Sequence, residues 1–328
     1  MRAPAVRALL LAAGVGVIVV MVVRTGPALL MEMLHRVGWN VATVVMLYAG
    51  HVGLRALALW RVVVRRPARF VDVLRVRLSA EAVEVLTYTG PFLAEPAKGW
   101  LLVRHGMPAA EAFAAVATEY LLYTTLSAAL ALTAFSLLVA YGMVPVLFRP
   151  AALAIAAAMA AFIGAVCYAA ATGVGLIVPI VRASGVIIGR RRAARAAEVI
   201  DPVERVLVSF LHDQPARLGE VLAIEAVAQS LLMLEICVVL ASLGAAFSVR
   251  EPLIIEGGGK LTVIAFFFIP GQVGAAEAVS ASLLRAVGLP ASAGLTLAFV
   301  RRIRSVCVAS AGLLVFARRD TTHARHVG

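Results

Sequence analysis

Three arginines, Arg301, Arg302 and Arg304, sit in the middle of an apolar run, Ala291–Ala317. A guanidinium at membrane depth costs on the order of 2.5–3.5 kcal/mol on insertion scales, so these three require polar partners or a cavity. At helical spacing Arg301 and Arg304 share a face, while Arg302 points about 100° away. The group suits a phosphate or carboxylate, and equally suits pairing with buried acids. Acids are at hand. Glu119, Glu225 and Glu235 lie inside other apolar runs, and Glu95 and Glu277 lie in two runs broken by proline and glycine. Intramembrane carboxylates serve as counter-ions or proton carriers, the roles expected of Glu225 and Glu235. His51 and Arg55 stand four apart on one run, where a packed histidine bonded to backbone is the expectation.

The elements that must position these groups follow from the breaks. In Phe268-Ile269-Pro270-Gly271-Gln272-Val273-Gly274-Ala275-Ala276-Glu277, Pro270 and Gly271 end one half-helix. A second then starts near Gly274, with its free N–H groups and positive dipole end at membrane depth, a place that favours an anion. Glu84–Leu102 repeats the idea with Gly90, Pro91, Glu95, Pro96 and Lys98. A spanning helix needs about 20 apolar residues, and both runs are too interrupted for that. Two re-entrant helical hairpins are expected, because irregular backbone survives at that depth only where protein or a wet cavity satisfies it.

Composition agrees with a membrane setting. Of 328 residues 62% are hydrophobic and only 15% charged, with mean hydropathy +0.97; neither a soluble fold nor a disordered chain has this balance. Full spans are expected at Ala8–Val23, Val37–Trp60, Phe113–Ala140, Ala151–Val181, Val221–Phe247 and Ala291–Ala317. Ala8–Val23 reads as a first span because no small-x-small cleavage site follows it. The fold class is therefore an all-α polytopic membrane protein, with about six full transmembrane helices and two hairpins in a single integral membrane domain. Residues 1–150 and 151–328 each read span, span, hairpin, span, which makes them inverted repeats. Residues 182–220 form a cytoplasmic amphipathic segment. The formal charge of +12 gathers in loops that this topology puts on the cytoplasmic side, with both termini. The stretch 61–80 counts among the cytoplasmic loops. Residues 248–260 read as an outside loop, with Gly257-Gly258-Gly259-Lys260 as its flexible turn and Lys260 exposed.

At these residues the chain resembles a family. Pro270-Gly271-x-x-Gly274-x-x-Glu277 followed by Arg301 and Arg302 is similar to the C-terminal signature of the flippase-like membrane proteins, also called the lysylphosphatidylglycerol synthase transmembrane region. Glu95-x-x-Lys98, then Leu102, Gly106 and Glu119, resembles the N-terminal signature, and Arg301-Arg302-Ile303-Arg304 resembles the hopanoid-associated branch. Ala94 stands where the family usually has Gly, Lys98 where it has Arg, and Tyr120 and Tyr123 occur where Arg and Asp are common. The resemblance implies lipid movement across a bacterial inner membrane and no soluble synthase activity, since no aminoacyl-transfer domain follows the last run. Its implied substrate-binding set is Glu95, Lys98, Glu119, Gly271, Gln272, Gly274, Glu277, Arg301, Arg302 and Arg304.

Other chemistries find little support. Cys167, Cys237 and Cys307 are scattered in apolar runs and give neither a disulfide framework nor metal spacing. No metal, cofactor or nucleic-acid partner is expected, and no esterase elbow, zinc-protease or phosphate-loop motif is present. Three functions remain: a lipid translocase, an enzyme acting on a lipid headgroup with Glu95 or Glu277 as base, and a scaffold for lipid-biosynthesis enzymes.

Overall fold

The computed structural model describes residues 32, 35–63, 69–87, 91–144, 149–265 and 275–323, without the side chains at 86–87, 91, 188, 262–265, 275–278, 291 and 314–323. Among the described residues there is no strand. The helices are α1 (Asn40–Val62), α2 (Phe70–Thr87), α3 (Pro91–Arg104), α4 (Ala109–Ala140), α5 (Arg149–Thr172), α6 (Ile177–Ala183), α7 (Gly185–Ile188), α8 (Arg190–Asp213), α9 (Pro215–Ser242), α10 (Arg250–Ala265), α11 (Ala275–Ala286) and α12 (Ala291–His323). By length and composition α1, α4, α5 and α9 are able to cross a membrane. At 33 residues α12 is longer than any of them, but its arginines lower its apolarity. The protein is an all-α, multi-pass membrane protein.

Helix α1 lies along α9 in antiparallel register. Asn40 Nδ2 donates to Ser242 Oγ at 2.8 Å, His51 Nδ1 meets Ala228 O at 2.9 Å, and Arg61 Nε pairs with Glu220 at 3.0 Å. As numbers rise on one helix they fall on the other. Around this seam α2 packs on α3, and α10 on α11. At 14 residues α3 reaches only about 21 Å, and at 12 residues α11 only about 18 Å, both short of a hydrocarbon core about 30 Å thick. Helix α12 packs on α2 as α4 packs on α10; α3 meets α4 as α11 meets α12. Exchanging α1–α4 for α9–α12 maps this set of neighbours onto itself.

The chain carries the same correspondence. Gly106-Met107-Pro108-Ala109 turns α3 into α4, and Gly288-Leu289-Pro290-Ala291 turns α11 into α12. Both glycines take positive φ, +88° and +80°. The next residue's N–H then bonds back to Leu102 O or Leu284 O, closing the helix end in a Schellman cap. At the same offset Glu95 aligns with Glu277, and Glu119 with Arg301.

Three expectations change. Residues 250–260 are not an outside loop: they form most of α10, which packs on α4 and α11. A Cβ on Gly257 would stand 2.6 Å from Leu130 O and one on Gly258 2.8 Å from Leu283, so the glycines permit close helix contact instead of a turn. Lys260 is accordingly half-buried and paired. Residues 70–80 leave the predicted cytoplasmic loop, because α2 is packed on α12 with Arg77 and Glu81 buried. The span expected over Ala151–Val181 stops at Thr172, where Gly173 adopts φ +70°. Its helix α5 buries only Met159 and Ala169 and presents an apolar periphery. The expected span Ala8–Val23 lies outside the described residues. The amphipathic segment is present as α8, which buries Ala193, Ala197, Leu207, Val208, Phe210 and Leu211 and leaves Arg190–Arg192 exposed.

Candidate functional site

The apolar core has two main blocks. One, near Arg61, contains Leu59, Val62, Leu102 and Val221; the other, near Ser242, contains Val44, Ile236, Leu240 and Leu297. Between them on α1 and α9 lie the buried charges. Glu119, Glu225, Glu235 and Lys98 are each 0% exposed, which leaves them dependent on one another for solvation.

The first cluster centres on Glu119 of α4. Arg55 of α1 reaches its Oε1 at 2.6 Å from Nη2 and 2.9 Å from Nε. Lys98 of α3 takes its Oε2 at 3.1 Å and Glu95 at 2.6 Å. Glu225 of α9 is different: Arg55 Nε is 3.8 Å away, and neither carboxylate oxygen accepts a hydrogen bond from a described residue. The second cluster centres on Arg301 of α12, which meets Glu235 of α9 at 2.9 Å and Glu256 of α10 at 2.5 Å. Arg304 also pairs with Glu235, and Lys260 with Glu256 at 3.1 Å. Ten residues of α9 separate Glu225 from Glu235, about 15 Å along the membrane normal of an upright helix.

An aromatic layer joins the clusters. The Arg55 guanidinium lies 3.7 Å from the Tyr123 ring centre and that of Arg304 lies 3.9 Å from Tyr48. The Tyr123 hydroxyl accepts from Lys260 Nζ at 3.1 Å; the Tyr48 hydroxyl donates to Glu81, itself paired with Arg77 at 3.2 Å. His51 sits between, stacked on Tyr48 at 5.8 Å and edge-on to Tyr123 at 6.4 Å. Its bond to Ala228 O is the backbone contact the sequence suggested.

Of the expected site residues, Glu95, Lys98 and Glu119 come together, and Arg301 joins Arg304 on Glu235. Arg302 is half-buried on a neighbouring face of α12. Gly271, Gln272 and Gly274 lie outside the described residues, as does the side chain of Glu277. Sequence reasoning missed Glu256, Lys260, Arg77, Glu81 and Tyr48, and left Arg55 without its acid. The pairs at 77/81 and 256/260 were available as opposite charges one helical turn apart on otherwise apolar stretches.

With this geometry in view, the comparisons have a clear sense. The family described as lysylphosphatidylglycerol synthase TM region matches residues 7–312, and the chain belongs to it. That name ties the fold to lipid headgroup chemistry. No curated protein and no solved structure matches the chain.

Proposed function

We propose that this member of the lysylphosphatidylglycerol synthase TM region family is a lipid translocase: it passes a polar headgroup between leaflets along the buried charges while the tail stays in the bilayer. The observation that carries this reading is the pair of ionic clusters at different depths on the α1–α9 seam, joined by Tyr48, His51 and Tyr123. Buried charge on this scale is costly in a membrane and is retained where a polar pathway needs it. The antiparallel seam, the exchangeable packing and the constant offset between halves support inverted repeats over 1–150 and 151–328, the plan of many secondary transporters. Exposed arginines on α8 support a cytoplasmic face for that helix. The Arg301–Arg304 cluster suits an anionic or strongly polar headgroup, a polar-headed hopanoid included.

The test is leaflet exchange in proteoliposomes with fluorescent phosphatidylglycerol and, separately, a labelled polar-headed hopanoid. Exchange by the native chain, lost in Arg301→Ala at equal insertion, is the expected result. Exchange undiminished in Arg301→Ala and Glu119→Gln would remove the clusters from the pathway. Conversion of the lipid to a new species would replace the carrier by an enzyme.

A further inference from the structure

Glu225 and Glu235 occupy the same helix at the same burial, yet their surroundings differ. Glu235 is held by two guanidiniums, Arg301 and Arg304, which makes it a fixed counter-ion. Glu225 faces a single guanidinium already committed elsewhere: Arg55 makes its short contacts to Glu119 and stands 3.8 Å from Glu225. Glu119 is further compensated by Lys98. Among the described residues of this cluster there are three acids, Glu95, Glu119 and Glu225, and two bases, Arg55 and Lys98.

From this geometry we propose that Glu225 is a proton-binding site within the membrane, neutral while Arg55 holds Glu119 and ionised when Arg55 turns to it. The step is a simple exchange: the carboxylate takes a proton from water to become the acid, and returns it as the guanidinium arrives. No oxygen of Glu225 has a hydrogen bond from a described residue to sustain a negative charge, and a carboxylate buried without donors is relieved by protonation. Arg55 and His51 face this region from α1, His51 being bonded to Ala228 three residues along α9; Glu119 and Tyr123 face it from α4. Lys98 of α3, bonded to Glu119, and Arg77 of α2, paired with Glu81, are the nearby positive charges on those helices. The charges of α10 and α12 gather at the Glu235 level, and α8 contributes the apolar Leu207 and Leu211. The short range between the two acids lets one guanidinium serve both. This deepens the carrier reading by giving it an ion to couple to, and it rests on that reading only for its purpose.

Infrared difference spectra of the full chain in phosphatidylcholine–phosphatidylglycerol bilayers test it directly. A carboxylic-acid C=O band is expected that appears and disappears reversibly as the pH is varied. It should vanish in Glu225→Gln and persist in Glu235→Gln. Arg55→Lys, which keeps the charge but loses the fork, should move the midpoint even if Glu225→Gln folds poorly. A native chain without a titrating band, or a band unchanged in Glu225→Gln, would overturn the proposal. Because the spectra need no lipid movement, a titrating Glu225 in a chain that exchanges no lipid sinks the carrier and leaves the proton site standing. Exchange without the band does the reverse. In a vesicle that does exchange lipid, an imposed pH gradient should change the rate severalfold, and Glu225→Gln should abolish that response.

Discussion

The clusters around Glu119 and Arg301 occupy exchangeable places in the packing of α1–α4 and α9–α12 and are built with opposite signs. In one, an acid on α4 is held by Arg55 of α1; in the other, an arginine on α12 is held by Glu235 of α9. The α1–α4 pair and the α9–α12 pair thus carry their charges in opposite order. The surroundings follow suit: the first cluster has an acid to spare and the second a base, with Arg301, Arg304 and Lys260 against Glu235 and Glu256 among the described residues. Under the proposed translocase reading, complementary sites would suit the positive and negative parts of one headgroup at different stations.

The comparison breaks most visibly when a hub is removed. Glu119→Ala strands Arg55 and Lys98, and Arg301→Ala strands Glu235 and Glu256; each should cost about 3–5 kcal/mol, read as thermal unfolding in detergent. Replacing Arg55 and Glu119 together by leucine should restore most of that stability while exchange stays lost. Recovery of transport in the double variant would show that the pair serves folding alone.

Packing gives the next effect. A Cβ on Gly312 of α12 would run into Leu78 O of α2, and one on Gly257 of α10 would stand 2.6 Å from Leu130 O of α4. Alanine at either position should destabilise by about 1–3 kcal/mol. Gly259, with nothing within 4 Å, should accept alanine without loss. Equal behaviour of Gly257 and Gly259 in the same unfolding assay would contradict the contact between α10 and α4.

The aromatic layer sharpens the comparison most finely. Tyr48→Phe and Tyr123→Phe each remove one hydroxyl contact, to Glu81 and from Lys260 respectively. Each should cost about 1 kcal/mol while keeping the guanidinium–ring stacking. Leucine at Tyr123 should cost more than phenylalanine, because it loses the ring as well as the hydroxyl; equal costs would place the value in the hydroxyl.

Much of this architecture was legible in the chain. Charges inside apolar runs pointed to Glu119, Glu225, Glu235 and the α12 arginines, since their cost admits few explanations. Glycine and proline also marked the turns that end α3 and α11, at Gly106-Met107-Pro108 and Gly288-Leu289-Pro290. The same rule misled at Gly257-Gly258-Gly259, where glycine meant close approach between helices and the neighbouring Glu256 and Lys260 were sent into solvent. Arg77 was hidden by the basic residues before it, which together read as a cytoplasmic loop. Arg55 was judged by its i, i+4 neighbour His51, whereas its partners come from α4 and α9, too far along the chain for local spacing to reveal. The alignment of Gly106-Met107-Pro108 with Gly288-Leu289-Pro290 was readable throughout and would have set Glu119 beside Arg301.

The seam between α1 and α9 is tied near both ends and at its middle, by Asn40 to Ser242, His51 to Ala228 and Arg61 to Glu220. A slip of one helical turn, about 5.4 Å, would break all three ties at once. On the flanks of the seam α2 is bound to α12 and α4 to α10, each union crossing from one half of the chain to the other. Under the translocase reading proposed above, α1 and α9 would move as one unit, without sliding past one another.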